Sequence, residues 1–144
     1  ILDALEAVAE ERSHELSGLI GDSPRMFVHG DRKLLNQLFI NLIENAIVHC
    51  PSGSGIGVEL SEEDGRPKVT IKDTGPGIPA AEREKVFRRL YRLEKSRSTK
   101  GNGLGLSLVA SIADLHGAKI LLADNNPGLI VVITFPKPLA SNAA

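Results

Sequence analysis

The segment from Asp31 to Cys50 constrains the fold more than any other part of the chain. Leu34, Leu35, Leu38, Ile40, Leu42, Ile43, Ala46 and Ile47 recur there at helical spacing and give a wide apolar face. The pattern predicts a central helix, opened by Asp31 as its N-cap and ending before Pro51-Ser52-Gly53-Ser54-Gly55. The same helix carries Asn41 and Asn45. An i, i+4 spacing puts both amides on one face, one turn apart, where they can hold a metal and phosphates. Glu44 lies about 100° around the helix from Asn45 and points away from that pair.

The rest of the chain supplies what such a helix needs to be covered. Leu2, Leu5, Val8 and Ala9 predict a first helix to about Glu11, and an extended stretch follows near His14–Ile20. Gly21-Asp22-Ser23-Pro24 is a turn, and Met26-Phe27-Val28 reads as a short strand. Ile56, Val58 and Leu60 alternate with Gly57, Glu59 and Ser61, and Glu62 to Pro67 makes a hairpin connection to Val69, Ile71 and Asp73. Leu104–His116 is a helix closed by Gly117. Ile120-Leu121-Leu122 and Ile130-Val131-Val132-Ile133 form a last hairpin across Asn125-Asn126-Pro127-Gly128. Thr74 to Gly103 is mostly irregular, apart from a short helix near Ala81–Arg89. A loop that long in a small domain is usually a lid or binding loop. Helices alternating with antiparallel hairpins predict an α/β sandwich with the helices on one sheet face.

Composition narrows the class. At 144 residues the chain fits one domain, expected over residues 1–138 with a disordered tail at 139–144. A net charge of −1 argues against a nucleic-acid partner. No apolar run approaches the ~20 residues that span a bilayer, so no direct membrane contact is expected. Asp3, Glu6, Glu10 and Glu11 make the beginning too acidic for a signal peptide. The one cysteine, Cys50, is compatible with a reducing compartment, and its expected role is packing or plain surface. The expected location is cytoplasmic.

Two glycine clusters complete a candidate pocket. Asp73 ends an alternating strand and offers a carboxylate at its tip. In Asp73-Thr74-Gly75-Pro76-Gly77-Ile78, Gly75 and Gly77 let the backbone approach a flat ring closely. Gly101-Asn102-Gly103-Leu104-Gly105-Leu106 opens a helix, whose free N–H groups and dipole favour phosphate.

In this order, the motifs resemble the ATP-binding catalytic domain of bacterial sensor histidine kinases. Asn41–Ala46 looks like that family's N box, Asp73–Ile78 its first glycine box and Gly101–Leu106 its second. Phe87-Arg88-Arg89-Leu90-Tyr91-Arg92-Leu93-Glu94-Lys95-Ser96-Arg97 looks like its F box and the start of its ATP lid. The resemblance runs from about Leu2 to Pro136. It implies the Bergerat fold, an α+β two-layer sandwich in which a mixed, mostly antiparallel sheet of about five strands packs against three helices.

The resemblance also implies roles. Asn45 holds Mg²⁺, and Asn41 with Asn45 lies at the phosphates. Asp73 accepts from the adenine amine. Gly75, Gly77 and Ile78 line the base; Gly101, Asn102, Gly103, Leu104, Gly105 and Leu106 face phosphate. Arg89, Tyr91 and Lys95 contribute to the nucleotide site, and Arg97 is carried over as a catalytic cation. His49, one turn beyond Asn45, lines the pocket. Thr134 matches a position near the adenine and reads equally well as an ordinary strand threonine. The family usually has a cation three residues after the second asparagine; Val48 stands there, which removes one phosphate-facing charge. Ser13-His14-Glu15-Leu16 copies the core of the phosphoacceptor motif, but Ser17-Gly18-Leu19 follows instead of the basic residue and proline, so His14 is expected to be a surface histidine.

The implied function is transfer of the γ-phosphoryl group of Mg–ATP to a histidine on a dimerisation and phosphoacceptor domain outside this chain. A response regulator follows downstream, and the isolated domain is expected to be monomeric. The parent is either cytoplasmic or the cytoplasmic portion of an inner-membrane sensor. A conformational ATPase of the same superfamily uses a glutamate four residues before the metal-binding asparagine, where this chain has Asn41. The motifs are also compatible with an anti-sigma-type serine kinase, which shares the fold, and with a degenerate nucleotide-sensing module.

Overall fold

A computed structural model describes residues 2–20, 26–77, 80–82 and 104–138. In chain order these form α1 (Leu2–Glu11), β1 (Glu15–Ile20), α2 (Arg32–His49), β2 (Gly55–Glu63), β3 (Arg66–Asp73), a 3₁₀ turn (Ala80–Glu82), α3 (Leu104–Leu115), β4 (Lys119–Asp124) and β5 (Leu129–Thr134). The strands make one sheet in the order β1-β2-β3-β5-β4. Only β1 and β2 pair in parallel; the other neighbours are antiparallel. The expected mixed five-stranded sheet backed by three helices is therefore what the chain forms.

Register explains how the alternating strands become one apolar face. Leu60, Val69, Ile133 and Ile120 stand in one cross-strand row, and Val58, Ile71, Val131 and Leu122 in the next. A third row runs Leu16, Ile56, Asp73. All the apolar members of these rows belong to or pack against the core, with Leu5, Ala9, Leu38, Leu42, Ile43, Ala46, Ile47, Val109, Ile112 and Ala113 from the helices. Fully burying a leucine or isoleucine contributes roughly 1.5–3 kcal/mol, so these rows dominate the stability of the layer. Phe39 and Phe135 add a tilted ring pair at 6.2 Å.

The ends of α2 are finished by side chains from elsewhere. Asp31 accepts from the Lys33 and Leu34 N–H groups, the N-cap that the sequence predicted. Its own N–H donates to His116 Nε2 at 3.0 Å, while His116 Nδ1 donates to the Ile112 carbonyl at 2.7 Å. One imidazole thus ties the start of α2 to the end of α3. At the other end, Pro51 has no N–H to offer the Ile47 carbonyl. His14 Nε2 fills that role at 2.9 Å, and its Nδ1 lies 3.3 Å from the Ser54 carbonyl.

Two local expectations are corrected. His14 is buried, 6% exposed, rather than a surface residue, because the last turn of α2 needs its ring as a partner. Residues 26–29 are not a strand. Val28 packs against the core while Phe27 is left 64% exposed, so one anchored side chain in an irregular segment mimics strand alternation. Of the short helix predicted near Ala81–Arg89, Ala81 and Glu82 belong to a 3₁₀ turn over Ala80–Glu82, and the remainder lies outside the described residues. The tail at 139–144 also lies outside them.

Candidate functional site

Asp73 is the last residue of β3, and its place in the Leu16–Ile56–Asp73 row turns its carboxylate toward the helix layer. It is only 8% exposed, and a buried carboxylate needs partners. Oδ1 accepts from the Gly75 N–H at 3.0 Å and the Leu129 N–H at 3.2 Å. The Cys50 thiol flanks the same glycine as the carboxylate: a Cβ on Gly75 would lie 2.6 Å from Sγ and 3.3 Å from Asp73 Oδ1. Burial above all, then the adjacent Asp73 charge, pushes that thiol up to about 12, so it remains a protonated S–H at neutral pH. A carboxylate has about four acceptor positions. The two N–H donors leave acceptor positions open on the carboxylate.

The main chain around Asp73 is locked by the β4–β5 turn. Asn125 donates its side-chain amide to the Asp73 carbonyl at 2.7 Å, and its N–H donates to the Gly128 carbonyl at 3.0 Å. Gly128 has φ +113, and a side chain there would run into the Asp73 carbonyl. Gly77, with φ +75, lies so close to the Gly128 carbonyl that a Cβ would approach it to 2.7 Å. On the other side, Thr74 and Gly55 exchange hydrogen bonds: Gly55 N–H to Thr74 Oγ1 at 2.9 Å, Thr74 N–H to the Gly55 carbonyl at 3.1 Å. The glycines of the first cluster are thus required by close backbone approach.

Asn41, Asn45 and His49 form one half-buried stripe along α2, with Glu44 exposed beside it. Asn41 Oδ1 accepts from Gln37 Nε2 at 3.0 Å, one turn earlier. Val48 is half-buried on the same flank. Amide oxygens are hard donors of the kind Mg²⁺ accepts. Among the described residues, no cluster of three His, Cys, Asp or Glu side chains could hold a metal ion. Asn41 and Asn45 each offer an amide oxygen of the type that could hold such an ion.

Cys50 follows α2 directly and joins the two parts. Its Sγ stands where a Cβ on Gly75 would come to 2.6 Å, with Asp73 Oδ1 at 3.3 Å from the same point. The structure therefore brings together Asp73, Gly75 and Gly77 at one end, and Asn41, Asn45 and His49 at the other.

Thr134 does not join them. It pairs with Lys68, five positions before Asp73 on β3 and about 16 Å away at ~3.3 Å per residue. It also alternates with Leu129, Val131 and Ile133, so it faces away from the helices. The antiparallel pairing puts the beginning of β5 beside Asp73, and Leu129 takes that place through its N–H. Leu104 and Gly105 open α3, and Leu106 packs against the core. Ile78, Arg89, Tyr91, Lys95, Arg97, Gly101, Asn102 and Gly103 lie outside the described residues.

Sequence reasoning misses Cys50, Asn125, Gly128 and Leu129. The asparagine-glycine turn is visible as a turn, but not as the clasp on Asp73.

Comparison with known proteins bears on the same residues. A family model described as "Histidine kinase-, DNA gyrase B-, and HSP90-like ATPase" matches residues 30–139. The signal transduction histidine-protein kinase/phosphatase MprB of Mycobacterium tuberculosis is 39% identical over 102 residues, covering 70% of this chain and 20% of that protein. The chain thus spans about a fifth of the length of the curated relatives it matches. Its fold is similar to the mycobacterial sensor histidine kinase MprB, with a TM-score of 0.80, 32% identity, and 95% and 92% of the two chains covered. It is also similar to the histidine kinase ThkA, solved in complex with the response regulator protein TrrA. There the TM-score is 0.78 at 25% identity, over 94% of this chain and 38% of that one.

Proposed function

The chain belongs to the family of histidine kinase-, DNA gyrase B- and HSP90-like ATPases, and from that premise we propose that it is the ATP-binding catalytic domain of a two-component sensor histidine kinase. The observation that carries the reading is Asp73, a buried strand-tip carboxylate with two N–H donors fixed on Oδ1 and acceptor positions spare, in a chain whose α2 carries an asparagine stripe.

In this reading ATP enters with its base against Asp73, Gly75 and Gly77. The spare carboxylate position accepts the exocyclic amine, and the close glycine backbone admits the flat ring. The phosphates extend along α2 past Asn41 and Asn45. Asn45 is the residue that would hold Mg²⁺, through its amide oxygen. The ion would supply positive charge that offsets the phosphates. Arg89, Lys95 and Arg97 supply further positive charge, and the residues from Gly101 to Leu106 supply main-chain N–H groups. The acceptor imidazole attacks the γ-phosphorus; the P–N bond forms as the β–γ bridging P–O bond breaks, and ADP leaves.

Most of the work is positioning and charge neutralisation. Asn41 favours transfer over hydrolysis. A conformational ATPase needs a carboxylate at that position to activate water, whereas here an amide oxygen is occupied by Gln37. The acceptor histidine belongs to a dimerisation domain of the same kinase, and a response regulator takes the phosphoryl group next. The kinase domain works on the cytoplasmic side, in a parent that is either free or membrane-anchored.

Calorimetric titration of ATP with and without Mg²⁺, on the parent and on Asp73→Asn, tests the reading. Binding should depend on the metal, and the substitution should weaken it by about 1–3 kcal/mol, the range for an unsatisfied polar contact. No binding at millimolar ATP in either condition would sink the proposal.

A further inference from the structure

We infer that Cys50 is a positioning residue for base recognition: its S–H and its size hold the Asp73 carboxylate and Gly75 where an exocyclic amine can be accepted. The inference rests on the reading of Asp73 as the acceptor for the base.

Three observations carry it. Cys50 and Asp73 are both buried, at 8% exposure each, so neither can turn to water for a partner. The sulfur lies against Gly75, since a Cβ there would come within 2.6 Å of Sγ and 3.3 Å of the Cys50 Cα. That leaves no space for a bulkier side chain without moving the glycine backbone. The same Cβ position lies 3.3 Å from Asp73 Oδ1, so thiol and carboxylate flank a single glycine.

Chemistry supplies the rest. Gly75 and Leu129 both donate to Oδ1, so both main-chain donors act on one of the two carboxylate oxygens. A thiol at the end of α2, packed against the same glycine, is placed to steady the carboxylate from the helix side. The thiol suits the task because it stays protonated through the neutral range and donates without adding charge. Cys50 is also the C-cap of α2, through its N–H to the Ala46 carbonyl. Asp73 is thereby referenced to the same helix that carries Asn45, which fixes the distance between the two ends of a nucleotide.

The test compares ATP with purine riboside triphosphate, which lacks the amine, on the parent, Cys50→Ala, Cys50→Ser and Asp73→Asn. The parent should prefer ATP. Cys50→Ala should weaken ATP roughly three- to ten-fold, the worth of one hydrogen bond, and leave the amine-free nucleotide unchanged. Cys50→Ser, which keeps a donor in nearly the same volume, should restore the preference. Equal weakening of both nucleotides by Cys50→Ala would reduce the residue to packing and overturn the inference. So would an unchanged preference in Cys50→Ala, or a folded Cys50→Ser that has lost the preference. If the parent and Asp73→Asn bind both nucleotides alike, the reading of Asp73 itself fails, a result distinct from any failure of Cys50.

Discussion

In the proposed site Asp73 and Asn45 both offer an oxygen to the nucleotide, but they are held in opposite ways. The carboxylate is 8% exposed and fixed by the Gly75 and Leu129 N–H groups, with the Asp73 carbonyl clasped by Asn125. The amide projects half-buried from a helix that would form whatever stood there, since α2 is held by its apolar face and by the Asp31 and His14 ties. One end of the site is therefore part of the fold. The other is chemistry laid on a finished surface. Substitutions at the first should cost stability and binding together, and at the second binding alone.

The largest effect that would break this contrast is at Gly128. Gly128→Ala forces a side chain into the Asp73 carbonyl at φ +113, and strain plus overlap should cost about 3–5 kcal/mol in urea unfolding. A loss below about 1 kcal/mol would mean that the turn yields easily and that the base end is not built in.

Cys50 sharpens the contrast through pH. Its unfolded thiol titrates near 9.0 and its folded one near 12. Below that window both states keep the proton and the group adds no pH dependence. Within it the unfolded chain releases the proton first, so stability falls by up to about 1.4 kcal/mol per pH unit relative to Cys50→Ser. Parallel denaturation curves for the two proteins between pH 8 and 10.5 would remove the buried S–H from the account.

The smallest effect belongs to Asn45. Asn45→Ala should change unfolding free energy by no more than about 0.5 kcal/mol, while abolishing the Mg²⁺-dependent part of ATP binding. A large loss of stability would show that the α2 stripe is also structural, and would merge the two ends.

The same contrast decides what can be read from the sequence. Periodicity yields α1, α2, α3 and the alternating strands, because apolar spacing is what builds the Leu60, Val58 and Ile56 rows. Asp31 is legible as a cap and Gly117 as a stop. Asn41 and Asn45 are legible because helical spacing alone puts them on one stripe. The clasp on Asp73 is not, since it depends on residues 50 or more positions apart in the chain meeting across a register. Motif position suggests Thr134 as a neighbour of the base, whereas antiparallel pairing places it at the far end and on the other face. His14 reads as a surface residue because nothing local announces that Pro51 leaves a carbonyl in need. Cys50 reads as filler for the same reason: a lone thiol carries no pattern.

The clasp has a consequence for the order in which the chain is made. Asp73 is translated well before Asn125 and Leu129, yet its carbonyl and carboxylate are completed by them, across 52 and 56 residues. A nascent chain that has emerged only as far as α3 therefore carries α2 with its asparagines but an Asp73 whose Asn125 and Leu129 partners are still missing. On the proposed reading of Asp73, nucleotide cannot act as a template for the early part of synthesis. It can reward only the last hairpin, so ATP in the surrounding solution should select completed domains from stalled ones.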